Sequence, residues 1–194
     1  DGQWKIHTDG WTYSGDAVIL ANGSRASSVA GSCESGYEIA KSLGHHLIEP
    51  LPALTALKCK GNSFSGWSGV RTEGKITLYI DGTPTVSQQG ELQLTDYGVS
   101  GIPVFQISRY AIRAVHENKN VELSINFFPE LNRKELEGYL EHRKAACPYK
   151  TEKELLIGLF PEKLIRVLCA QKDLIRGITD FRLPVKNGLS FEQA

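Results

Sequence analysis

Apolar and polar residues alternate at the start of the chain in a pattern typical of a β-hairpin. Residues 4–8 and 11–13 alternate, and Asp9-Gly10 between them favours a two-residue turn. Residues 17–21, Ala-Val-Ile-Leu-Ala, are apolar without a break, which predicts a strand covered on both faces, as in a parallel sheet. Residues 34–43 show helical spacing of apolar positions, and Gly44 is expected to end that helix.

The pattern then changes to short alternating segments separated by turns that contain glycine. Asp81-Gly82 is a second hairpin signal within this region. Strands are predicted over residues 54–60, 70–73, 75–80, 83–86 and 90–95. Several short strands at this spacing favour a small antiparallel barrel.

A helix and one more strand are predicted to follow these segments. Val104, Ile107 and Ala111 recur at helical spacing, and Pro103 suits the first turn of that helix. We expect the helix to cover an end or a face of the barrel. Residues 121–125 alternate again as a strand.

The last third of the chain predicts a compact helical subdomain. Asn132 and Thr151 each begin a capping box, and Pro161 opens a third helix. Because three short amphipathic helices are not stable alone, they must bury their apolar faces against one another and against the barrel. Residues 181–185 are then extended, and residues 187–188, Asn-Gly, predict a turn.

Composition narrows the possible functions. The chain has 194 residues, 41% of them apolar, which is enough for a sizeable core in one domain or two small ones. Lys plus Arg and Asp plus Glu both number 22, so no net charge attracts nucleic acid or an anionic membrane. No apolar run approaches the length of a membrane span and no signal peptide is recognisable, so we expect a cytoplasmic protein.

The sulfur-containing residues add two expectations. Cys33, Cys59, Cys147 and Cys169 are far apart and form no Cys-x-x-Cys pair, which disfavours zinc-ribbon and thioredoxin-like sites. Isolated thiols suit a reducing compartment. The chain contains no Met, which is improbable for a complete gene product of this length. Either the chain is part of a longer protein, or modified residues are missing from the sequence.

Residues 90–109 combine a strand, a glycine-containing loop and a helix start. We expect Ser100 to cap the helix, whose free N–H groups can hold an anion such as a phosphate or a carboxylate. A well-capped structural turn is the alternative. Ser100 does not form the Gly-x-Ser-x-Gly elbow of a hydrolase, because Ile102 stands at the second glycine position. Glu91 and Asp96 can be read as an acid–base pair, but a solvated face is the better interpretation.

Two pairs of basic residues invite a ligand-binding interpretation. His45-His46 would point to opposite faces of an extended segment and have no supporting ligand nearby, so a role beside the helix C-terminus is favoured over a metal site. No metal site is therefore predicted. Arg109 and Arg113 lie four apart and can clamp an anionic ligand, for example the phosphate of a nicotinamide cofactor. Ordinary solvated arginines are the alternative.

Five segments of the chain carry motifs that occur together in one known family. Residues 90–109 contain a Gly-Glu, Thr, Gly and Ser-Gly-x-Pro pattern, and residues 16–23 end in a small-residue turn. Residues 31–45 contain Gly-Tyr and end in Leu-Gly-His, residues 52–54 are Pro-Ala-Leu, and residues 181–194 close the series. Taken in their order along the chain, these segments resemble the bacterial BaiN-like flavoproteins, a family of NAD(FAD)-utilizing, aminoacetone-oxidase-like dehydrogenases.

The resemblance implies an α+β fold, a small antiparallel β-barrel with a helical subdomain, inserted in and flanked by pieces of an FAD-binding α/β domain. It implies a segment of the flavin-binding domain at 1–49 and a barrel insert with its covering helix at 50–128. The helical subdomain would be 129–178, and 179–194 would return toward the flavin domain.

The resemblance also implies where ligands lie. The flavin-contact turn would consist of Ala21, Asn22 and Gly23. Compared with the family, Asn22 replaces the usual Thr, and Ser24 replaces the second Gly. A cap loop near the flavin and substrate would consist of Tyr97, Gly98, Ser100 and Gly101. The chain contains no G-x-G-x-x-G, so we expect FAD in the full-length protein and no FAD binding by this chain alone. NAD(P)H is a candidate electron donor.

The implied function is that of an internal region of a bacterial FAD-dependent oxidoreductase, which covers the flavin and shapes the substrate pocket. Its partners would be the remainder of its own flavin-binding domain and a small-molecule substrate, with neither nucleic acid nor membrane. A stand-alone protein-interaction module without enzymatic activity is the alternative. No catalytic side chain is identified.

Overall fold

The chain divides into two compact units, Asp1–Pro50 and Leu51–Ala194. The computed structural model describes residues 2–26, 30–61 and 63–191. The last three residues of the predicted return segment 179–194 therefore lie outside the described residues.

The first unit contains a hairpin and a helix in its described residues. They are β1 (Trp4–Thr8), β2 (Trp11–Gly15) and α1 (Ser35–Ser42). The hairpin prediction is confirmed, since Thr8 pairs with Trp11 across Asp9-Gly10 in an antiparallel register. The end of α1 is also as predicted, because Gly44 has φ 87°, a left-handed angle that glycine adopts without a steric penalty.

The predicted strand over residues 17–21 is wrong. These residues form no strand, and Ile19 is 90% exposed. A buried strand needs a neighbour that supplies hydrogen bonds, and the only sheet in the described part of this unit is the hairpin, whose two strands pair with each other.

The second unit contains a closed antiparallel barrel built from six strands of the described residues. They are β3 (Leu57–Cys59), β4 (Val70–Ile80), β5 (Thr83–Leu94), β6 (Gly98–Ser100), β7 (Val121–Asn126) and β8 (Phe181–Gly188). Around the barrel the order is β3, β6, β5, β4, β7 and β8, and β8 pairs back with β3. The predicted small antiparallel barrel is confirmed.

Helices complete the α+β fold of this unit. They are α2 (Ile102–His116), α3 (Arg133–Ala146), α4 (Glu152–Leu156), α5 (Glu162–Cys169) and α6 (Leu174–Thr179). One turn of 3-10 helix spans Ser63–Gly66. Both predicted capping boxes form, with the Asn132 and Thr151 side chains accepting from the N–H groups of Glu135 and Glu154. No helix in the described residues is both long and apolar enough to cross a bilayer.

Two strands are longer than the glycine pattern predicts. β4 runs through both 70–73 and 75–80, and β5 joins 83–86 to 90–95. Gly74 pairs with Gly90 in the ladder, and a Cβ at Gly74 would lie 3.0 Å from the carbonyl oxygen of Asn126. Glycine therefore allows close approach of β4 and β7 at this point and does not mark a turn.

The closing strands also differ from the prediction. β6 has no counterpart among the predicted strands, and α6 none among the predicted helices. The predicted Asn187-Gly188 turn is wrong, because Asn187 pairs with Lys58 and Gly188 with Leu57 within the β8–β3 ladder. The segment 179–194 thus supplies the strand that closes the barrel.

The long helix and the short helices share one core with the barrel. α2 contacts strands β4 to β8, and in its predicted stripe Val104, Ile107 and Ala111 are fully buried while Val115 is half-buried. Leu136 of α3 and Leu164 of α5 belong to the same hydrophobic cluster. The short helices therefore bury their apolar faces against the barrel, as their amphipathic pattern requires.

An aromatic cluster joins the barrel to these helices. Trp67 is fully buried, with its ring centroid 5.2 Å from that of Phe181. Phe127 meets both rings edge-on. The next residue, Phe128, meets Phe160 edge-on at 6.0 Å. Such pairs contribute roughly 0.5–1.5 kcal/mol each beyond their buried area.

Gly98 is the point of closest approach between β3 and β6. Its φ is 152°, and a Cβ there would overlap the carbonyl oxygen of Leu57 and lie 2.9 Å from the nitrogen of Cys59. The contacting atoms are backbone atoms of a paired strand, so they cannot rotate away. The barrel closes only because residue 98 has no side chain.

We expect Gly98→Ala to lower the free energy of unfolding by about 2–4 kcal/mol, because β3 and β6 must separate and the new residue must adopt a disfavoured φ. Urea denaturation followed by far-UV circular dichroism measures the change. The matched control is Gly138→Ala in α3, where nothing lies within 4 Å of the new Cβ. It should raise stability by about 0.5–1 kcal/mol. Equal stability of the two variants would refute the closure role of Gly98.

Candidate functional site

The turn at residues 21–24 is tied to the segment that precedes α1. Asn22 is half-buried, and its side-chain amide donates to the hydroxyl of Ser35 at 2.8 Å. The backbone carbonyl oxygen of Asn22 accepts from the N–H of Cys33 at 3.2 Å. The Ser32 hydroxyl accepts from the N–H of Ser24 at 3.0 Å and donates to the Ser24 carbonyl at 2.8 Å. Four hydrogen bonds thus hold the turn against the start of the helix.

Two glycines make this close arrangement possible. Gly23 has φ 83°, and a Cβ on it would overlap the Ser32 hydroxyl. A Cβ on Gly36 would overlap the side-chain oxygen of Asn22. Ala21 and Gly23 themselves are exposed. The turn thus presents small residues and backbone to solvent, which fits the approach of a flat ring such as an isoalloxazine.

Cys33 lies in the same network. Its sulfur is 3.0 Å from the Ser35 hydroxyl oxygen and 3.6 Å from the Asn22 amide nitrogen. Hydrogen bonds from the side chain and backbone of Ser35, and then from Asn22, lower the pKa of the exposed Cys33 thiol. Sequence reasoning treated this cysteine only as one of four isolated thiols. The available signal was its position just before a helix start, where thiolates are stabilised.

The predicted cap loop is built into the barrel wall. The carbonyl oxygen of Tyr97 accepts from the N–H of Cys59 at 2.9 Å, and that of Gly98 accepts from Thr95 at 3.0 Å. Gly98 and Ser100 are buried within β6, while Tyr97 and Gly101 remain partly accessible. Contact of these residues with a ligand stays a prediction.

The predicted capping role of Ser100 is wrong. The residue before α2 is Gly101, with φ 106°, and no side chain caps the helix. Ser100 pairs with Gln93 in the ladder and is 8% exposed, so its backbone is fixed in a strand one residue too early to cap. A Cβ on Gly101 would lie 2.6 Å from the carbonyl oxygen of Glu91, so glycine is required where α2 leaves the barrel.

The other candidates have ordinary surroundings. The guanidinium of Arg109 lies 4.6 Å from the ring centre of its exposed neighbour Tyr110. Glu91 pairs with Arg71 at 2.9 Å on the surface. His45 and His46 are exposed, and the described residues contain no group of three or more His, Cys, Asp or Glu side chains that could hold a metal ion.

Two exposed apolar residues of the second unit were not identified from the sequence. Leu54 has φ 53° and is 67% exposed. A left-handed leucine costs roughly 1–3 kcal/mol, and such strain is concentrated at functional sites. Ile102 at the start of α2 is 71% exposed. The available signal for Leu54 was the Pro-Ala-Leu motif that it ends.

We expect Cys33 to react with iodoacetamide faster than the other cysteines at neutral pH, because its lowered pKa gives more thiolate. The pH at the inflection of its alkylation-rate profile should be lower than that of a free cysteine. Ser35→Ala should move the inflection upward, since it removes the main hydrogen bond to the thiolate. Mass spectrometry of the alkylated peptides measures each rate.

Cys59 is the internal control. Burial raises the pKa of its thiol to about 12, so it should stay unmodified until the barrel unfolds. An inflection for Cys33 that Ser35→Ala leaves unchanged would contradict the role of the network.

Comparison with known proteins identifies the barrel and its helices. Residues 51–183 match the family model described as the HI0933-like protein barrel and H2TH domain. The chain is 41% identical over 160 residues to the 3-dehydro-bile acid delta(4,6)-reductase of Clostridium scindens, covering 82% of this chain and 39% of that protein. It is 27% identical over 180 residues to the ribosomal RNA dihydrouridine synthase of Haemophilus influenzae, covering 90% of this chain and 41% of that protein.

The chain therefore spans about two fifths of the length of these two curated relatives. The family match covers more than half of the chain and includes helices α2 to α6. The chain belongs to the HI0933-like family, the flavoprotein family that its sequence motifs indicated.

Proposed function

We propose that the chain is the flavin-adjacent and insert region of an FAD-dependent oxidoreductase. In this proposal the turn formed by Ala21, Asn22 and Gly23 lies against the flavin, and residues 97–101 border the substrate pocket. The observation that carries the proposal is the exposed small-residue turn, held rigidly against the start of α1 by four hydrogen bonds. A rigid element that presents backbone is suited to close contact with a planar cofactor.

The exposed apolar side chains of the first unit support the proposal that another part of a longer protein packs against it. None of its described side chains is buried. On the hairpin, Trp4, Ile6, Trp11 and Tyr13 alternate onto one exposed face. An apolar surface of this kind requires a cover. The remainder of a flavin-binding domain supplies such a cover in our proposal, and the greater length of both relatives leaves room for it.

In the second unit, the accessible residues of the cap loop would make the ligand contacts. Gly98 and Ser100 are buried, so Tyr97 and Gly101 are the members that can meet a substrate. The exposed Ile102 directly after them adds apolar surface. We therefore propose that an apolar part of the substrate packs near the start of α2.

The names of the relatives suggest a reaction class. One is a bile acid reductase, and the other makes dihydrouridine, which differs from uridine by two added hydrogens. We propose reduction of a substrate double bond, with NAD(P)H as the electron donor. A bound flavin would supply the hydride transfer. The residues of this chain would position the ring and limit the access of water to it.

Replacing Ala21 by Leu in the intact protein should weaken FAD binding. Ala21 is exposed, so the larger side chain disturbs no packing within this chain, yet it occupies the space in front of the turn. Overpacking of a ligand interface costs about 1–3 kcal/mol, which corresponds to about a 5- to 150-fold rise in Kd. Titration of the flavin-free protein with FAD, followed by flavin fluorescence, measures the constant.

Ala145→Leu is the matched control, because Ala145 is an exposed residue of α3 in the other unit and should leave the FAD Kd unchanged. An intact protein that binds no FAD would overturn the proposal and favour the interaction module. FAD binding that Ala21→Leu does not weaken would instead place the flavin elsewhere.

A further inference from the structure

A groove of about 500 Å³ opens at one end of the barrel, away from the residues assigned to the flavin or the substrate. It is formed where β3 ends, where β4 turns into β5, where α2 leads into β7, and by the middle of β8. Backbone hydrogen bonds fix these segments, from Lys60 to the Pro184 carbonyl at 2.7 Å and from Asp81 to the Asn120 carbonyl at 2.8 Å. The groove is therefore a feature of the barrel itself.

Lys186 of β8 lies beside a β-bulge and lines this groove. In the β3–β8 ladder Lys58 pairs with Asn187 but Cys59 pairs with Val185, so Lys186 has no partner residue on β3. Its side chain keeps the alternation of β8, in which Leu183 and Val185 are buried while Pro184 and Lys186 are exposed. Lys186 is exposed and lines the groove, as does the exposed Lys60, the residue that follows β3. The groove thus has two exposed lysines, one on β8 and one directly after β3.

Among the described residues that line the groove, Lys60 and Lys186 are the cations without an ion pair. The lining contains one carboxylate, that of Glu122, which pairs with Arg182 at 3.0 Å. Lys119 also lines the groove, but it pairs with Glu117 at 2.6 Å. Within the described residues, Lys60 and Lys186 form no salt bridge.

The side chains of Asn118 and Asn120 add neutral donors beside them. Both residues are exposed and line the groove. Ammonium and amide groups together provide donors without an excess of acceptors, which is the donor set that phosphate oxygens require. A carboxylate ligand would satisfy fewer of these donors, because it offers two oxygens where a phosphate offers three or four.

We propose that this groove binds a phosphate group of a nucleotide-containing ligand, with Lys60 and Lys186 as its charged contacts. The phosphate can come from a single-stranded RNA backbone or from NADPH, and the chemistry of recognition is the same. The site does not depend on the proposed flavin contact. The zero net charge of the chain does not oppose it, because the local balance at the groove is positive.

The test measures binding of two probes to the intact protein and to its Lys60→Gln, Lys186→Gln double variant. The probes are a fluorescein-labelled single-stranded RNA of mixed sequence, followed by anisotropy, and NADPH, followed by calorimetry with NADH as its comparison. For RNA, we expect on the order of tenfold weaker binding in the variant, and a salt dependence reduced by about 1–2 in the slope of log K against log salt.

The control double variant, Lys75→Gln with Lys134→Gln, makes the same change of charge at exposed residues outside the groove and should keep the affinity. Loss of RNA binding in the groove variant assigns the phosphate to RNA. If the unaltered protein binds NADPH more tightly than NADH and the groove variant loses NADPH binding, the phosphate belongs to the dinucleotide. The proposal is overturned when neither probe binds, or when both double variants weaken binding equally. Circular dichroism of each variant verifies the fold.

Discussion

Closure of the barrel through the short strand β3 is the constraint on which the second unit depends. β3 has only three residues, yet it must pair with β6 on one side and β8 on the other. The pairing is possible because Gly98 leaves room for the backbone of β3, and because Gly188 leaves room for the side chains of Ile112 and Thr55. A barrel without closure would expose two strand edges and lose the enclosed core.

The position of α2 follows from the same closure. Gly101 ends β6 and starts the helix within one residue, so the register of β6 sets where the helix emerges. The helix then contacts strands β4 to β8, and the aromatic cluster around Trp67 joins the far side of the core to the short helices. One continuous core therefore holds the barrel and all of these helices, which explains why their short amphipathic sequences are stable.

The glycines of the candidate site are explained by packing within this chain. Gly23, Gly36, Gly98 and Gly101 are each required by a neighbouring atom of this chain. A glycine-containing motif is thus weak evidence for ligand contact at each of its positions. In our proposal the residues left for ligands lie beside these glycines, namely the exposed Ala21 and Ile102 and the partly accessible Tyr97. The first unit lacks buried side chains in its described residues, which contrasts with the complete core of the second.

The sequence by itself determined the features that depend on interactions within a few residues. The Asp9-Gly10 hairpin, the end of α1 at Gly44 and both capping boxes follow from local hydrogen bonds and backbone angles. The period of the apolar residues also indicated the barrel and the buried face of α2. These signals are local, so they can be read without knowing which segments meet.

Only the tertiary structure decided what depends on distant partners. The apolar residues 17–21 form no strand because no neighbouring strand pairs with them in the described part of their unit. Gly74 continues a strand because β7 lies against it, and Asn187-Gly188 is paired because β3 needs a second neighbour. The Cys33 network depends on Asn22 from the preceding turn, and the lysine groove brings together residues far apart in sequence. Their physical reason is the same: strand pairing and side-chain chemistry depend on neighbours in space, which the order of residues does not specify.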